Sequence, residues 1–252
     1  MTVVDTTEKD PTANSSPAEG TLLSGAAILC QSLLDEGVTT VFGYPGGAVL
    51  PLYHVLPSYP ALRHILVRHE QNAAMAADGY ARATRRVGVC FATSGPGATN
   101  LVTGIANAYM DSVPLVAVTG QVATTSVGKM AFQEVDITGI TRPITKRSYF
   151  VRRVEDLAAV VQEALHVASD GRPGPVVVDL PKDVQNAKTV YRRPSNGLVT
   201  WLPSPPRPDD QEVQRAAELM SSASRPVLLA GHGVVQSGAF RELLELAEKN
   251  GF

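Results

Sequence analysis

The stretch Leu62-Arg63-His64-Ile65-Leu66-Val67-Arg68-His69-Glu70-Gln71-Asn72-Ala73-Ala74-Met75-Ala76-Ala77-Asp78-Gly79-Tyr80-Ala81-Arg82 decides the fold. Residues 64–67 form a short apolar run that reads as a buried strand. From Glu70 onward the small and straight-chain residues favour helix. A strand therefore ends where a helix begins, with a single acid at the junction. Glu70 can be read as a complement to the positive end of its helix. It can also be read as a carboxyl at a ligand edge, because open parallel sheets bind ligands at the carboxyl ends of their strands.

Two more junctions of this kind flank the first. Val41-Phe42-Gly43-Tyr44-Pro45-Gly46-Gly47-Ala48 lies upstream and Phe91-Ala92-Thr93-Ser94-Gly95-Pro96-Gly97-Ala98-Thr99-Asn100 downstream. Working outward, helices are expected over residues 24–36, 48–56, 98–109 and 155–169, and strands over 39–43, 87–93, 113–119, 147–151 and 175–180. Strands alternating with helices imply right-handed crossovers and a mainly parallel sheet with helices on both faces, an α/β fold. Residues 120–145 fit no regular template for long and read as an excursion beyond a strand end, the kind of segment that carries function.

The domain plan has four parts. Residues 1–20, polar and rich in Thr, Ser, Pro and acids, read as a disordered tail. Residues 21–187 form the first domain, and residues 188–208, with five prolines from Pro194 to Pro208, an extended linker. Residues 209–252 begin a second α/β domain: a helix over 211–222, a strand over 226–230, a turn at Gly231-His232-Gly233 and a helix over 238–249. One strand and two helices cannot bury a core alone, so this domain is expected to be truncated.

The 252 residues are 44% hydrophobic and 18% charged, as in an ordinary soluble protein. A net charge of −2 argues against nucleic acid or an anionic membrane as partner. No apolar run approaches the length of a membrane span. Cys30 and Cys90 stand in apolar segments without metal-ligand spacing and read as reduced core residues of a cytoplasmic protein.

From about Leu22 onward the chain resembles the amino-terminal, pyrimidine-binding part of thiamine-diphosphate-dependent enzymes, and within them the acetohydroxyacid (acetolactate) synthase catalytic subunits. The resemblance rests on the RHEQ, SGPGATN, AFQEVD and GRPGPVVVDLPKDVQ stretches, which begin at Arg68, Ser94, Ala131 and Gly171. It implies a thiamine-diphosphate-binding fold and decarboxylation of pyruvate, followed by carboligation to a second 2-oxo acid. It also implies that Glu70 hydrogen-bonds a ring nitrogen of the cofactor's aminopyrimidine. Gly46 and Gly47 would let backbone approach the cofactor, with Gly47 near the reacting carbon. Gln133 would orient a 2-oxo acid, and Lys182 would attract substrate carboxylates. Ala48, Ala123 and Phe132 would line the substrate channel, with Ala123 standing where relatives commonly have Pro. Ser112 and Arg172 would contact FAD. The Ser94-Gly95-Pro96-Gly97 turn would shape the pyrimidine pocket from its backbone, and Thr99 and Asn100 are taken as helix-start hydrogen bonders without chemistry.

No metal site is expected within these residues. The magnesium ion that holds the cofactor's diphosphate is expected in a separate carboxy-terminal domain, since no Gly-Asp-Gly occurs here. The resemblance further implies a homodimer or tetramer with interface active sites, a possible regulatory subunit, and no synthase activity from these residues alone. Two alternatives stay open: a sister carboligase or 2-oxo acid decarboxylase on the same scaffold, and a non-catalytic module that binds a partner subunit.

Overall fold

A computed structural model describes residues 20–195 and 207–251. The chain divides into two compact units between residues 202 and 203. The expected tail lies outside the described residues apart from Gly20, and so does most of the expected linker.

The first unit opens with β1 (Leu22–Ser24) and α1 (Gly25–Asp35). Ser24 holds an extended backbone, and its Oγ accepts from Ala27 N at 3.2 Å, so one residue ends the strand and caps the helix. Next come β2 (Thr40–Gly43), α2 (Leu50–Val55), β3 (Arg63–Leu66), α3 (Glu70–Thr84) and β4 (Gly88–Ala92). They lead into α4 (Pro96–Asn100), α5 (Val102–Met110) and β5 (Leu115–Gln121). Beyond the excursion stand α6 (Ile137–Thr141), β6 (Arg147–Phe150), α7 (Leu157–Ser169), β7 (Pro175–Pro181), α8 (Lys182–Asn186) and β8 (Lys188–Val190).

Six strands form one sheet in the order β3-β2-β4-β5-β7-β6, and every neighbouring pair is parallel. Alternate residues of the central strands supply two cores, as the pleat requires. Val89 and Phe91, Val116 and Val118, and Val176 and Val178 pack with α1, α2 and α7. Cys90 and Ala92, Leu115 and Ala117, and Val177 pack with α3 and α5. The expected two-faced sheet is what forms. Both cysteines are free and fully buried, and burial pushes each thiol up to about 12, so both stay protonated at neutral pH.

Two differences from the sequence reading stand out in the first unit. The excursion contains α6, capped by Asp136, whose Oδ1 accepts from Gly139 N at 2.9 Å. Residues 188–190, expected to open the linker, form β8, which runs antiparallel to β1 as a separate two-stranded ribbon. A strand three residues long is too short to show a period, which is why pattern alone passes over it.

In the second unit Asp209 caps α9 (Asp210–Ser222), its Oδ1 accepting from Gln211 N at 2.8 Å. The strand expected at 226–230 is not formed. Val227 and Leu229 are 90% and 98% exposed, and no ladder partner exists among the described residues. The expected turn at Gly231-His232-Gly233 instead starts α10 (His232–Ser237), which Gly238 ends with φ +75° before α11 (Phe240–Asn250).

Candidate active site

The chain leaves β2 towards β3 on one side and leaves β4 towards β5 on the other. A crevice therefore opens between the carboxyl ends of β2 and β4, the usual ligand position in such sheets. Thr93 organises this crevice. Its Oγ1 accepts from Ala48 N at 3.0 Å, which ties the turn after β2 to the turn after β4. A Cβ on Gly46 would come within 2.5 Å of the Thr93 side chain, so Gly46 is required by close packing. Gly47, by contrast, faces open space. Ala48 is clamped at both ends of its backbone, because its carbonyl accepts from Gln185 Nε2 at 2.7 Å.

Glu70 is the first residue of α3 and is 8% exposed. His69 before it is extended, and its Nδ1 accepts from Gln71 N at 3.1 Å, so the helix start is capped without using the Glu70 carboxylate. One Glu70 oxygen is fixed: Asn100 Nδ2 donates to Oε2 at 2.9 Å. The other, Oε1, accepts no hydrogen bond among the described residues. It lies 3.2 Å from the place a Cβ on Gly97 would occupy. A carboxyl withdrawn from water, with one oxygen anchored and one open, can share a proton with a ring nitrogen of a ligand. Thr99 Oγ1 donates to Pro96 O at 3.1 Å within its own helix, whose start carries no side-chain cap. Asn100 does more than the sequence reading gave it.

The excursion folds back over this edge. Gly95 has φ +58°, and a Cβ there would meet Gln133 O at 2.7 Å, so only glycine fits beneath Gln133. Gln133 is itself left-handed at φ +57°, and its neighbour Phe132 is 86% exposed. Glu134 holds the loop by accepting from Gly128 N and from Ala131 N at 2.9 Å, and these bonds keep its carboxyl below the usual range. Ala123 and the exposed Lys182 stand just past the paired ends of β5 and β7, where Thr124 donates twice to Asp183.

Ser112 and Arg172 are brought together elsewhere. Arg172 Nε donates to Ser112 Oγ at 2.7 Å, and Ser112 has φ +57°. Both precede their strands, so the pair sits at the amino edge of the sheet. The seven residues of β7 put that edge roughly 20 Å from the Glu70 edge. Sequence reasoning missed Asn100, Thr93 and Gln185. Asn100 closes the SGPGATN stretch, but nothing in a linear pattern says which amide will meet which acid.

Residues 23–140 match the family described as thiamine pyrophosphate enzyme, N-terminal TPP binding domain, and residues 213–252 match its central domain. An acetolactate synthase of Arthrospira platensis is 51% identical over 234 residues, covering 90% of this chain and 40% of that protein. The acetolactate synthase large subunit IlvB1 of Mycobacterium tuberculosis is 51% identical over 229 residues, 91% of this chain and 37% of its own length. The acetolactate synthase isozyme 3 large subunit of Escherichia coli K12 is 48% identical over 229 residues, 90% of this chain and 40% of its own. The chain thus spans about two fifths of the length of the curated relatives it matches.

Proposed function

The chain belongs to the thiamine pyrophosphate enzymes, and from that membership we propose that it is the part of an acetolactate synthase catalytic subunit that receives the aminopyrimidine ring of thiamine diphosphate. The observation that carries the reading is the Glu70 carboxyl: buried at the carboxyl edge, held through Oε2 by Asn100 and open at Oε1. The residues fit the ring, since Oε1 is left uncommitted while Oε2 is held, and the close-packed Gly97 puts no side chain beside it.

When bound, thiamine diphosphate supplies the chemistry that removes carbon dioxide from pyruvate and passes a two-carbon unit to a second 2-oxo acid. The protein does the rest. Glu70 would share a proton with the ring nitrogen, while Asn100 keeps the other carboxyl oxygen fixed. Gly47 leaves the approach to the reacting centre clear. Gln133 and Phe132 stand over the crevice and orient substrate, Ala48 and Ala123 line the way in, and Lys182 draws carboxylates towards it.

Further parts of the reading rest on resemblance. Arg172 and Ser112 would contact FAD, with Arg172 using the donors that Ser112 leaves free. Among the described residues no three His, Cys, Asp or Glu side chains converge to hold a metal. We assign the diphosphate and its magnesium ion to a domain beyond these residues. A second copy facing the crevice, a regulatory subunit and a cytoplasmic setting complete the proposal. Among the described residues no helix is long and apolar enough to cross a membrane.

The test is product analysis with the full-length protein, thiamine diphosphate, magnesium, FAD and pyruvate. Acetolactate is expected. Acetaldehyde as the main product would replace the reading with a simple decarboxylase, and no turnover would leave a binding module.

A further inference from the structure

Asp179 lies near the carboxyl end of β7, one strand in from the edge of the sheet, 1% exposed and directly opposite Thr119 on β5. Its Oδ1 accepts from Thr119 Oγ1 at 2.7 Å and its Oδ2 from Gln121 Nε2 at 3.0 Å. Gln121, 3% exposed, has no spare group. Its Nε2 also donates to Val135 O at 2.8 Å, and its Oε1 accepts from Val122 N at 2.9 Å. A backbone N–H can only donate, so the amide orientation follows from chemistry. One side chain thus joins Val122 to Val135 across the first part of the excursion, and the carboxyl of Asp179 holds that side chain. Between those ends lie Phe132 and Gln133, the latter against Gly95.

We propose that Asp179 is a positioning residue which, through Gln121, fixes the conformation of residues 122–135 and so the placement of Gln133 over the crevice. That this excursion faces substrate rests on the function proposed above; that Asp179 holds it does not.

The proton state of Asp179 sets how firmly it holds. As an anion it accepts from both donors, and charge-assisted hydrogen bonds are about twice as strong as neutral ones. When it is protonated, the Thr119 hydroxyl can reverse and accept, so the network survives with a neutral, weaker bond to Gln121. Burial pushes the carboxyl up to about 7; the bonds from Thr119 and Gln121 pull the other way, and the charge of Asp136, at the start of α6, adds to the rise. The change therefore falls near neutral pH.

The experiment is backbone hydrogen exchange on the full-length protein, comparing a peptide covering 121–136 with one from the core of β5 at pH 6 and pH 8. Rates are corrected for intrinsic exchange. Protection of 121–136 should fall about three- to tenfold from pH 8 to pH 6, the worth of one weakened hydrogen bond, while β5 stays unchanged. Asp179→Asn makes the neutral form permanent, so at pH 8 it should already show the wild-type pH 6 level and no pH dependence. Uniform loss across β5 and 121–136 would make Asp179 an ordinary core residue and overturn the proposal. So would equal protection in both proteins at both pH values. In an active enzyme the variant should raise KM for pyruvate severalfold with kcat within about twofold. If loop protection shifts but no acetolactate forms, the tether stands and the synthase reading falls.

Discussion

Asn100 Nδ2 donates to Glu70 Oε2 at 2.9 Å, joining the last residue of α4 to the first of α3. The carboxyl therefore cannot swing about its own side chain, and one oxygen is committed before any ligand arrives. Asn100→Ala should slow C2 proton exchange of bound thiamine diphosphate by about 10- to 100-fold, the worth of a hydrogen bond to a charged group. Asn100→Asp should slow it further, because two carboxyls this close do not both ionise. Glu70→Gln, which removes the acid itself, should cost about 10² to 10⁴. Exchange followed by NMR ranks the three variants, and a wild-type rate in Asn100→Ala would show the bond to be ornamental.

Gly97 has no room for a methyl group. A Cβ there would lie 2.7 Å from Thr93 Cγ2 and 3.2 Å from Glu70 Oε1. Gly97→Ala should lose about 1–3 kcal/mol by overpacking and weaken thiamine diphosphate binding by about tenfold or more. Adding Thr93→Ser removes Cγ2 but keeps the hydroxyl that Ala48 N needs, so the double variant should recover stability without recovering the cofactor. Thermal melts and a cofactor titration read the two effects separately.

Lys182 is exposed at the first position of α8 and has no hydrogen-bond or ion-pair partner among the described residues. Lys182→Ala should raise KM for pyruvate about three- to tenfold, more at low salt than at high salt, with the melting temperature unchanged. Steady-state kinetics at two ionic strengths settle it: identical kcat/KM values would reduce Lys182 to a solvated surface charge.

Burial of Asp179 has a sign in stability as well. Its folded pKa of about 7 lies above the ordinary 3.8, so the folded chain binds the proton more tightly than the unfolded one. The stability it contributes is full below about pH 4 and is lost as pH rises through about 7. Asp179→Asn should therefore exceed the wild type in stability at pH 8 by roughly 1–3 kcal/mol, with the gap closing towards pH 4. Denaturant midpoints across that range would show it, and an Asn variant less stable at pH 8 would mean that the lost charge-assisted bonds outweigh desolvation.

Much of this architecture is legible in the sequence because it is repeated and long enough to carry a period. Leu115–Gln121 and Pro175–Pro181 are mostly apolar segments bounded by turns, and Ala73, Ala74, Ala77 and Ala81 fall on one buried face of Glu70–Thr84. Lys188–Val190 is not legible, because its only reason to be a strand is Leu22–Ser24, far away in sequence. The reverse holds for 226–230, a strand by pattern with nothing beside it. At the site, Glu70 was legible as an acid at a junction. Asn100 and Gln121 were not, since polar side chains acquire their roles from partners 30 and 58 residues away, respectively.

The ribbon of β1 and β8 has one more consequence. Gly20 N donates to Tyr191 O, Tyr191 N to Thr21 O, and Gly25 N to Ala187 O, so the strands that bracket the first unit are zipped side by side. A body whose entry and exit share one doorway can be lifted out and set into another polypeptide without parting its sheet. Joining residue 20 to residue 191 through a short linker and opening the chain at an exposed turn would give a circular permutant. It would keep the same crevice, with Glu70 and Asn100 still face to face.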